Sequence, residues 1–352
     1  MLPDPNFENI RRVLMRSGEP ERVPAMEIIV DPEIRRAWLA SDLGKRRSGW
    51  KPPTEDPDDQ NVRFWYEAGY DYIRIITRIP FVDKTADAAD TASDHNRGNR
   101  GWRPGHLGII QNWQEFESYP WPDIRTTNFG NIERAAKIKP DGMLVIPTIS
   151  GVFEHASWLM GLGNFSLAIV DEPDLVEAII ERVGSYLLEV AQGLASIEGV
   201  GAIWLADDLG SNAATLISPR LLREYVFPWH KRISAAVHQQ DLPLILHSCG
   251  NLRQIFDDLI DDIKIDALHS LQPNIYDIAE LKQQIGHRVA LLGNVDVDLL
   301  ATGEPEQIRR QVRYLLDEIA PGGGFAVSSS NSIANYCKLE NFVAMLDEVA
   351  SQ

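Results

Sequence analysis

Residues 244–250 read LILHSCG and change abruptly from apolar to polar at His247. A short apolar run that ends in polar side chains is typical of a buried parallel strand leading into a functional site. Residues two positions apart on an extended chain point to the same side, so we expect His247 and Cys249 to face one point. An imidazole and a thiolate are half of a typical zinc ligand set, whereas the structural alternative is a hydrogen-bonded histidine and a small buried cysteine.

Apolar runs of strand length alternate with helical patterns through the rest of the chain. Eight such runs lie at residues 23–30, 72–76, 143–149, 202–206, 244–247, 267–271, 289–293 and 325–328. This alternation predicts a parallel sheet, and eight units predict an α/β fold of the (β/α)8 TIM-barrel type. We expect one domain over residues 1–352 with an N-terminal helical extension. An open doubly wound sheet is the alternative, but no G-x-G-x-x-G motif follows an early strand.

Residues 77–122, after the second predicted strand, are the least regular part of the sequence. They mix Asp, Asn, Arg and Gly with the aromatic residues Trp102, Trp113, Tyr119 and Trp121. A loop of this length within a compact domain is usually functional. The sequence therefore predicts an insertion that is either a lid over the barrel or a surface decoration.

The composition indicates a globular protein with a strong negative charge. The chain has 352 residues, 44% of them hydrophobic, and a formal net charge of -17. Such a charge repels phosphate backbones, so we expect neither nucleic acid nor an anionic membrane as partner. The 2 cysteines imply no disulfide framework, and no apolar run approaches the roughly 20 residues of a membrane span. We expect a cytoplasmic protein.

Polar residues at the predicted strand ends are the candidates for an active site, because barrels carry their sites there. Adjacent residues on a strand point apart, so only one of Asp207 and Asp208 is expected to face the barrel mouth. We predict Asp208 as a catalytic carboxylate, and Glu154, just past the third strand, as a second one. For these two the structural alternative is a capping or helix-start role.

Further candidates complete the predicted site. Cys337, in the loop after the last strand, is the candidate for a third metal ligand beside His247 and Cys249, its alternative being a buried free thiol. The candidates for binding a substrate are Asp207, Gln272, Asn294, Asp296, Ser329 and Asn331.

Several stretches, taken in this order, resemble the uroporphyrinogen decarboxylase superfamily. They are 151–161 (GVFEHASWLMG), 207–210 (DDLG), 216–233 (LISPRLLREYVFPWHKRI), 244–251 (LILHSCGN), 266–273 (DALHSLQP), 291–308 (LLGNVDVDLLATGEPEQI) and 321–333 (PGGGFAVSSSNSI). The resemblance covers the chain from about residue 145 onwards. It implies a (β/α)8 barrel, often dimeric, with its site at the strand C-termini.

The chain departs from the decarboxylases of that superfamily at three places. Their R-Q-A-G-R motif after the first strand is replaced by EIIVDPEIRR, which leaves Arg35 and Arg36 nearby. Their Asp after the second strand is missing from RIITRIPF, and Asn331 stands in the segment where they carry a functional His. These departures count against porphyrinogen decarboxylation.

The other branch of the superfamily consists of zinc-dependent methyltransferases, whose H-x-C and distant Cys resemble His247 and Cys249 followed by one more ligand. The resemblance places that distant Cys near the PGGGF segment, where this chain has Gly323. Glu154 or Asp208 would then supply an oxygen ligand in its place. A zinc ion lowers the pKa of a thiol and presents a thiolate as nucleophile.

The resemblance thus favours zinc-dependent methyl transfer between a corrinoid protein and a thiol or folate acceptor. Two alternatives remain open. One is cofactor-free decarboxylation of uroporphyrinogen or another polycarboxylate, and the other is a non-catalytic barrel that binds a tetrapyrrole or corrinoid. The partners expected are a corrinoid protein or a small-molecule methyl acceptor, and a homodimer is the expected assembly.

Overall fold

A computed structural model describes residues 3–47, 49–92, 94–106 and 108–352. Across these residues the strands are β1 (Tyr72–Ile76), β2 (Ala86–Ala89), β3 (Asn99–Trp102), β4 (Leu144–Ser150), β5 (Ile203–Ala206), β6 (Leu244–His247), β7 (Ala267–His269), β8 (Ala290–Val295) and β9 (Phe325–Ser329). Seven of them form one sheet in the order β1-β4-β5-β6-β7-β8-β9, and every neighbouring pair in it is parallel. The predicted α/β class with a parallel sheet is confirmed.

Helices connect the parallel strands, as crossover connections require. They are α1 (Phe7–Leu14), α2 (Pro32–Ala40), α3 (Asp42–Arg46), α4 (Pro57–Glu67), α5 (Trp113–Ser118), α6 (Gly130–Ile138), α7 (Val152–Met160), α8 (Leu162–Asp171), α9 (Pro173–Ala195), α10 (Pro219–Leu221), α11 (Phe227–His238), α12 (Ile278–Ile285), α13 (Val297–Thr302), α14 (Pro305–Tyr314) and α15 (Leu339–Val349). Among the described residues, no helix combines the length and the apolar character needed to cross a membrane.

The predicted helix at 251–260 is not regular. A 3₁₀ turn at Arg253–Ile255 is followed by a π-helical turn at Asp258–Asp262. Another π-helical turn, Leu315–Ile319, ends the long helix predicted from residue 305. The apolar side chains that predicted helices in these segments are buried, among them Leu259, Ile260 and Leu315. The backbone, however, is wound more loosely than in an α-helix.

The first predicted strand, at 23–30, is present only as two isolated bridges, from Ala25 to Val327 and from Val30 to Ile333. Pro24 in this segment has no amide hydrogen to donate to a ladder. On its other side the backbone N–H and C=O of Glu27 bond to the Tyr72 hydroxyl at 2.7 and 2.6 Å. Among the described residues a single side chain therefore links this segment to β1, and the seven-stranded sheet is not closed into a full barrel by strand pairing.

The insertion at 77–122 contains the antiparallel hairpin β2–β3 and helix α5. Polar contacts anchor it to the rim of the sheet, among them the following two. Asn335 donates a hydrogen bond to Asp90 at 2.6 Å, and Arg97 forms an ion pair with Asp31 at 2.6 Å. Since Asp31 follows the first segment and Asn335 follows β9, the insertion is fastened beside the C-terminal ends of the strands.

The register of the strands decides which side chains share the inner face of the sheet. Thr148 lies beside Trp204, and His247 lies beside His269. The Trp204 indole meets the His269 ring edge-on, with 5.4 Å between ring centres. Arg74 joins the same face, because its Nε donates a hydrogen bond to the Thr148 hydroxyl at 3.1 Å. The inner face of the sheet therefore carries several polar side chains, those of Arg74, Thr148, His247 and His269.

Candidate metal centre at the strand ends

Three side chains that could hold a metal ion converge where β5 and β6 end. One ligand atom each from Asp208, His247 and Cys249 lies within 4.8 Å of the other two. His247 Nε2 is 3.7 Å from Cys249 Sγ and 3.6 Å from Asp208 Oδ1. Tetrahedral zinc bonds of about 2.0–2.3 Å separate neighbouring ligand atoms by about 3.3–3.8 Å. The donor set and its spacing therefore fit zinc.

Local backbone geometry brings these side chains together. His247 is the last residue of β6, and Cys249 follows it by two positions, while Asp208 follows the neighbouring strand β5. The backbone N–H of Cys249 donates to Asp208 Oδ1 at 2.8 Å. Gly250 has a φ of +86°, and a Cβ there would lie 2.2 Å from the backbone of Gly210. Only glycine permits both this conformation and this close approach.

A chain of hydrogen bonds fixes the imidazole of His247. Its Nδ1 lies 2.7 Å from Nδ1 of His269, whose Nε2 lies 3.0 Å from the Ser328 hydroxyl. Burial lowers the pKa of both histidines, so both rings are neutral. If His247 donates from Nδ1, His269 donates to Ser328 and His247 Nε2 keeps its lone pair. That arrangement aims the lone pair at the group formed with Cys249 and Asp208.

The Cys249 thiol is held in a site that disfavours a free thiolate. Burial and the nearby Asp208 carboxylate raise its pKa. The Asn331 amide acts in the opposite direction, because its Nδ2 donates to Sγ at 3.1 Å. A metal cation at this point would offset the effect of burial and of Asp208, and would stabilise the Cys249 thiolate. This is expected of a cysteine that ligates a metal.

Asp207, the neighbour of Asp208, points away from this group. Its carboxylate accepts hydrogen bonds from the backbone N–H groups of Phe153 and Glu154 at 3.1 and 2.8 Å. It also lies 2.8 Å from His230 Nε2, and neither side chain is more than 1% exposed. A Cβ on Gly151 would lie 2.0 Å from Asp207 Cγ. Asp207 therefore ties the start of α7 to β5.

Glu154 lies in the first turn of α7 beside a cavity of about 210 Å³. Burial and the neighbouring Asp208 and Asp207 carboxylates raise its pKa well above the usual range. Asp208, Arg103 and Trp158 line the same cavity. The cavity therefore connects the candidate metal centre with the insertion, to which Arg103 belongs.

The other residues predicted to bind substrate fall into two groups. Gln272 accepts a hydrogen bond from the Gly250 amide at 2.9 Å, Asn331 touches Cys249, and Asn294 is buried near the end of β8. Asp296 instead caps α13, and Ser329 donates its hydroxyl hydrogen to Glu27 at 2.6 Å. Like Asp207, the last two are engaged in structural contacts.

The structure does not bring Cys337 into the group of three. Cys337 is 1% exposed, burial raises its pKa to about 12, and the carboxylates acting on it are Glu27 and Asp31. Gly323, which the resemblance placed at the distant cysteine, lies before β9 at the opposite end of the strands, against the Gly18 backbone. Gly323 is therefore remote from the group of three, and Asn331 is the residue that contacts Cys249 from the loop after β9.

Sequence reasoning missed three buried polar residues near this centre. His269 ends β7, His230 lies on α11, and Arg74 lies inside β1. A signal for Arg74 and His269 is present, since YIRII and ALH each put one basic residue in an apolar strand. His230 carries no comparable signal, because a histidine on a helix is common.

A parallel α/β barrel with a candidate metal centre at its strand ends is the class that the fold and the site define. A sequence model of the uroporphyrinogen decarboxylase (URO-D) family matches residues 110–352, and the chain belongs to this family. The resemblance predicted from the sequence is thereby confirmed.

Named relatives place the chain in the methyltransferase-like branch of the family. A methylated-thiol–coenzyme M methyltransferase of Methanosarcina mazei is 29% identical over 56% of this chain and 53% of its own length, so the chain spans about half of that relative. A methylcobamide:CoM methyltransferase, MtbA of Methanosarcina acetivorans, is 25% identical over 83% of this chain and 86% of its own. A uroporphyrinogen decarboxylase of Actinobacillus succinogenes is 28% identical over 71% of each chain.

A solved structure of a methyltransferase from Methanosarcina mazei has the same fold. It superposes with a TM-score of 0.72 over 99% of both chains, at 19% identity.

Proposed function

We propose that this protein is a zinc-dependent methyltransferase that moves a methyl group from a methylated corrinoid, carried by a partner protein, to a thiol or folate acceptor. The observation that carries the proposal is the convergence of Asp208, His247 and Cys249 at the strand ends. An imidazole, a thiolate and a carboxylate leave a fourth tetrahedral position open, as catalytic zinc sites do. The names of the methylcobamide:CoM methyltransferases support the same reaction class.

Zinc bound here would lower the pKa of an acceptor thiol and favour its thiolate. In such a transfer the acceptor sulfur would form a bond to the methyl carbon as the cobalt–carbon bond of the donor breaks, and both electrons of that bond would stay with the cobalt of the donor. The proton lost by the thiol would pass to water. His269 holds His247 in the orientation that the site requires, through the 2.7 Å contact between their Nδ1 atoms.

A cytoplasmic location and a homodimeric assembly remain predictions that belong to this proposal. The predicted substrate contacts of Gln272, Asn294 and Asn331 belong to it as well. Gln272 and Asn331 contact Gly250 and Cys249, and Asn294 is buried near the end of β8.

The proposal is tested by metal analysis of protein purified without chelator or metal-affinity resin. We expect about one zinc per chain, lost in Cys249→Ala and kept in Cys337→Ala, which removes the other cysteine from a buried position. Zinc that stays in Cys249→Ala and leaves Cys337→Ala would contradict the ligand assignment. Methyl transfer from methylcobalamin to a thiol, followed by the change in cobalt absorbance, tests the activity.

Cofactor-free decarboxylation is the second candidate, and the relationship to uroporphyrinogen decarboxylases supports it. Under this alternative the purified protein contains no zinc and releases carbon dioxide from uroporphyrinogen. The same preparation therefore decides between the two reactions. Tight binding of a tetrapyrrole without either reaction would instead favour the non-catalytic barrel.

A further inference from the structure

Glu27 is a fully buried carboxyl whose hydrogen-bond partners are hydroxyl groups and a backbone amide. The backbone N–H and the hydroxyl of Ser329 donate to its two oxygens, the hydroxyl at 2.6 Å. The Ser328 hydroxyl adds a further hydrogen bond. Among the described residues, no cation belongs to the groups that lower the pKa of Glu27, and burial raises this pKa from 4.5 to about 8.

Ser328 connects Glu27 with the candidate metal centre. Its hydroxyl lies 3.0 Å from Nε2 of His269, and Nδ1 of His269 lies 2.7 Å from Nδ1 of His247. Three successive hydrogen bonds therefore lead from the Glu27 carboxyl to the ring of His247. Ser328 and His269 are shielded from bulk water, since both are 0% exposed. Each member of this chain must therefore find its donor or acceptor in its neighbours.

An ionised Glu27 gives the chain one direction. A carboxylate only accepts, so Ser328 donates to Glu27 and in turn accepts from the Nε2–H of His269. Nδ1 of His269 then carries a lone pair and accepts from the Nδ1–H of His247. Nε2 of His247 is left with a lone pair on the side of Cys249, whose Sγ lies 3.7 Å away. This is the tautomer of His247 that binding of a metal requires.

A protonated Glu27 permits the opposite direction. Its O–H donates to Ser328, and the Ser328 hydroxyl then donates to Nε2 of His269. His269 donates from Nδ1 to Nδ1 of His247, so the hydrogen of His247 lies on Nε2, where a metal would bind. The two arrangements differ by the one proton on Glu27, and both histidines are neutral in each of them.

The other titratable groups around Glu27 do not change their charge near neutrality. Tyr70 and Tyr72 face it at the start of β1, and Cys337 faces it from the loop after β9. Burial raises the pKa values of both tyrosines well above their usual range and that of Cys337 to about 12. Glu27 is therefore the group of this cluster whose charge can respond to moderate changes of pH.

We propose that Glu27 is a positioning residue that acts through Ser328 and His269 and determines which ring nitrogen of His247 carries the hydrogen. The part that concerns a metal rests on the proposed function. A proton that enters at Nε2 of His247 moves each hydrogen along the chain by one bond and ends on Glu27. The reverse movement frees the lone pair at Nε2, so Glu27 loses its proton when a metal occupies the site.

The test observes the tautomer of His247 in metal-free protein, so it does not depend on zinc. Long-range NMR correlations in protein with isotope-labelled histidine distinguish a ring nitrogen that carries hydrogen from one with a lone pair, and His247→Gln assigns the signals. Spectra are compared below and above the pKa of Glu27 for wild type, Glu27→Gln and Glu67→Gln. Glu67 is the matched control, because it is also 0% exposed but pairs with Arg63 on α4.

In wild type and Glu67→Gln the hydrogen of His247 should move from Nε2 towards Nδ1 as pH rises, because Glu27 becomes a pure acceptor. The Ser329 carbonyl also accepts from His269, so we expect a shift of populations and not a complete change. Glu27→Gln should show no shift. Ser328→Ala should show none either, although its Glu27 still titrates, which a carboxyl with a purely structural role would not explain. A shift that persists in either variant, or a single tautomer throughout in wild type, would overturn the proposal.

Zinc affinity separates this positioning role from the proposed function. In chelator competition, wild type should gain about tenfold in affinity over Glu27→Gln as pH rises through the pKa of Glu27. Loss of the Cys249 proton affects both proteins alike and cancels in their ratio. If the tautomer follows Glu27 but no zinc binds, the positioning role stands while the function fails. If zinc binds and methyl transfer proceeds with an unchanged tautomer and a constant ratio, the function stands while the positioning role is refuted.

Discussion

Asn331 donates a hydrogen bond from its Nδ2 to Sγ of Cys249 across 3.1 Å. The two residues come from loops after β9 and β6, which are not neighbouring strands. Position 331 is therefore within reach of whatever the Cys249 sulfur binds. In this chain the position holds an amide, which stabilises a negative sulfur without being a preferred zinc ligand.

Asn331→Cys is expected to tighten zinc binding, because it places a second thiolate beside Cys249. Competition with a chromophoric chelator measures the affinity. The gain should exceed the roughly tenfold effect of an outer hydrogen-bond partner. Asn331→Ser is the matched control, since it is of similar size and offers no thiolate. Equal affinity in the two variants would show that position 331 does not reach the metal.

His269→Ala is expected to weaken zinc binding by about 10–100-fold, because His247 loses the contact that fixes its ring and tautomer. The same chelator competition gives the value. His238→Ala is the control, since His238 bonds to Asp266 at 2.8 Å and takes no part in the metal-ligating group. A zinc affinity that responds equally to both changes would argue for general loosening of the fold.

Asp207 and Asp208 are adjacent, but their substitution should affect different properties. Loss of Asp207 should lower the stability of the fold, and loss of Asp208 should lower zinc binding. Asp207→Ala leaves two backbone N–H groups of α7 and a buried histidine without their partner. We expect it to lower the free energy of unfolding by about 3 kcal/mol, measured by urea denaturation. Asp208 has 38% of its side chain exposed and accepts from one backbone N–H, that of Cys249, so its change to Ala should cost only about 1 kcal/mol. Zinc binding should instead be lost in Asp208→Ala, and a reversed order of stabilities would refute both assignments.

Stability should fall as pH rises through the range in which Glu27 titrates. Burial raises the pKa of Glu27 from 4.5 to about 8, so over that interval the folded state holds a proton that the unfolded state releases. Stability from this group is complete below the unfolded pKa and is lost as pH passes the folded pKa, with a slope of at most about 1.4 kcal/mol per pH unit. Glu27→Gln should remove this dependence.

The measurement for Glu27 is urea denaturation of wild type and Glu27→Gln at several pH values. Other titrating groups cancel in the difference between the two curves. A difference that does not change with pH would show that Glu27 is already ionised in the folded protein.

Much of the fold follows from local sequence patterns. The apolar runs predicted β1 and β6 with the bounds that the structure has, because each run ends at a polar residue. The apolar run at 23–30 predicted a full strand, which the structure does not have. Pro24 lacks the amide hydrogen that a ladder needs, and the backbone of Glu27 bonds to the Tyr72 hydroxyl. The hairpin β2–β3 was missed because its strands are four residues long and mostly exposed, so they show no apolar alternation.

The candidate site was predictable only as far as it depends on one strand and its neighbour. The spacing of His247 and Cys249 was enough to expect the two side chains on one side. Contacts of Asn331, His269 and Arg74 depend on strand order and register around the barrel, which no local pattern encodes. For the same reason the sequence does not reveal that Gly323 and Asn331 lie at opposite ends of β9, or that Asn331 contacts Cys249.

The cavity beside Asp208 measures about 210 Å³, below the roughly 300–1,000 Å³ of pockets that enclose a drug-sized ligand. A whole corrinoid cofactor is larger than such ligands. Under the proposed function the ring therefore stays within its carrier protein, and only the methyl group crosses the rim. Each docking event then delivers one methyl group, so with acceptor in excess the turnover rate rises in proportion to carrier concentration until the docking surface is saturated.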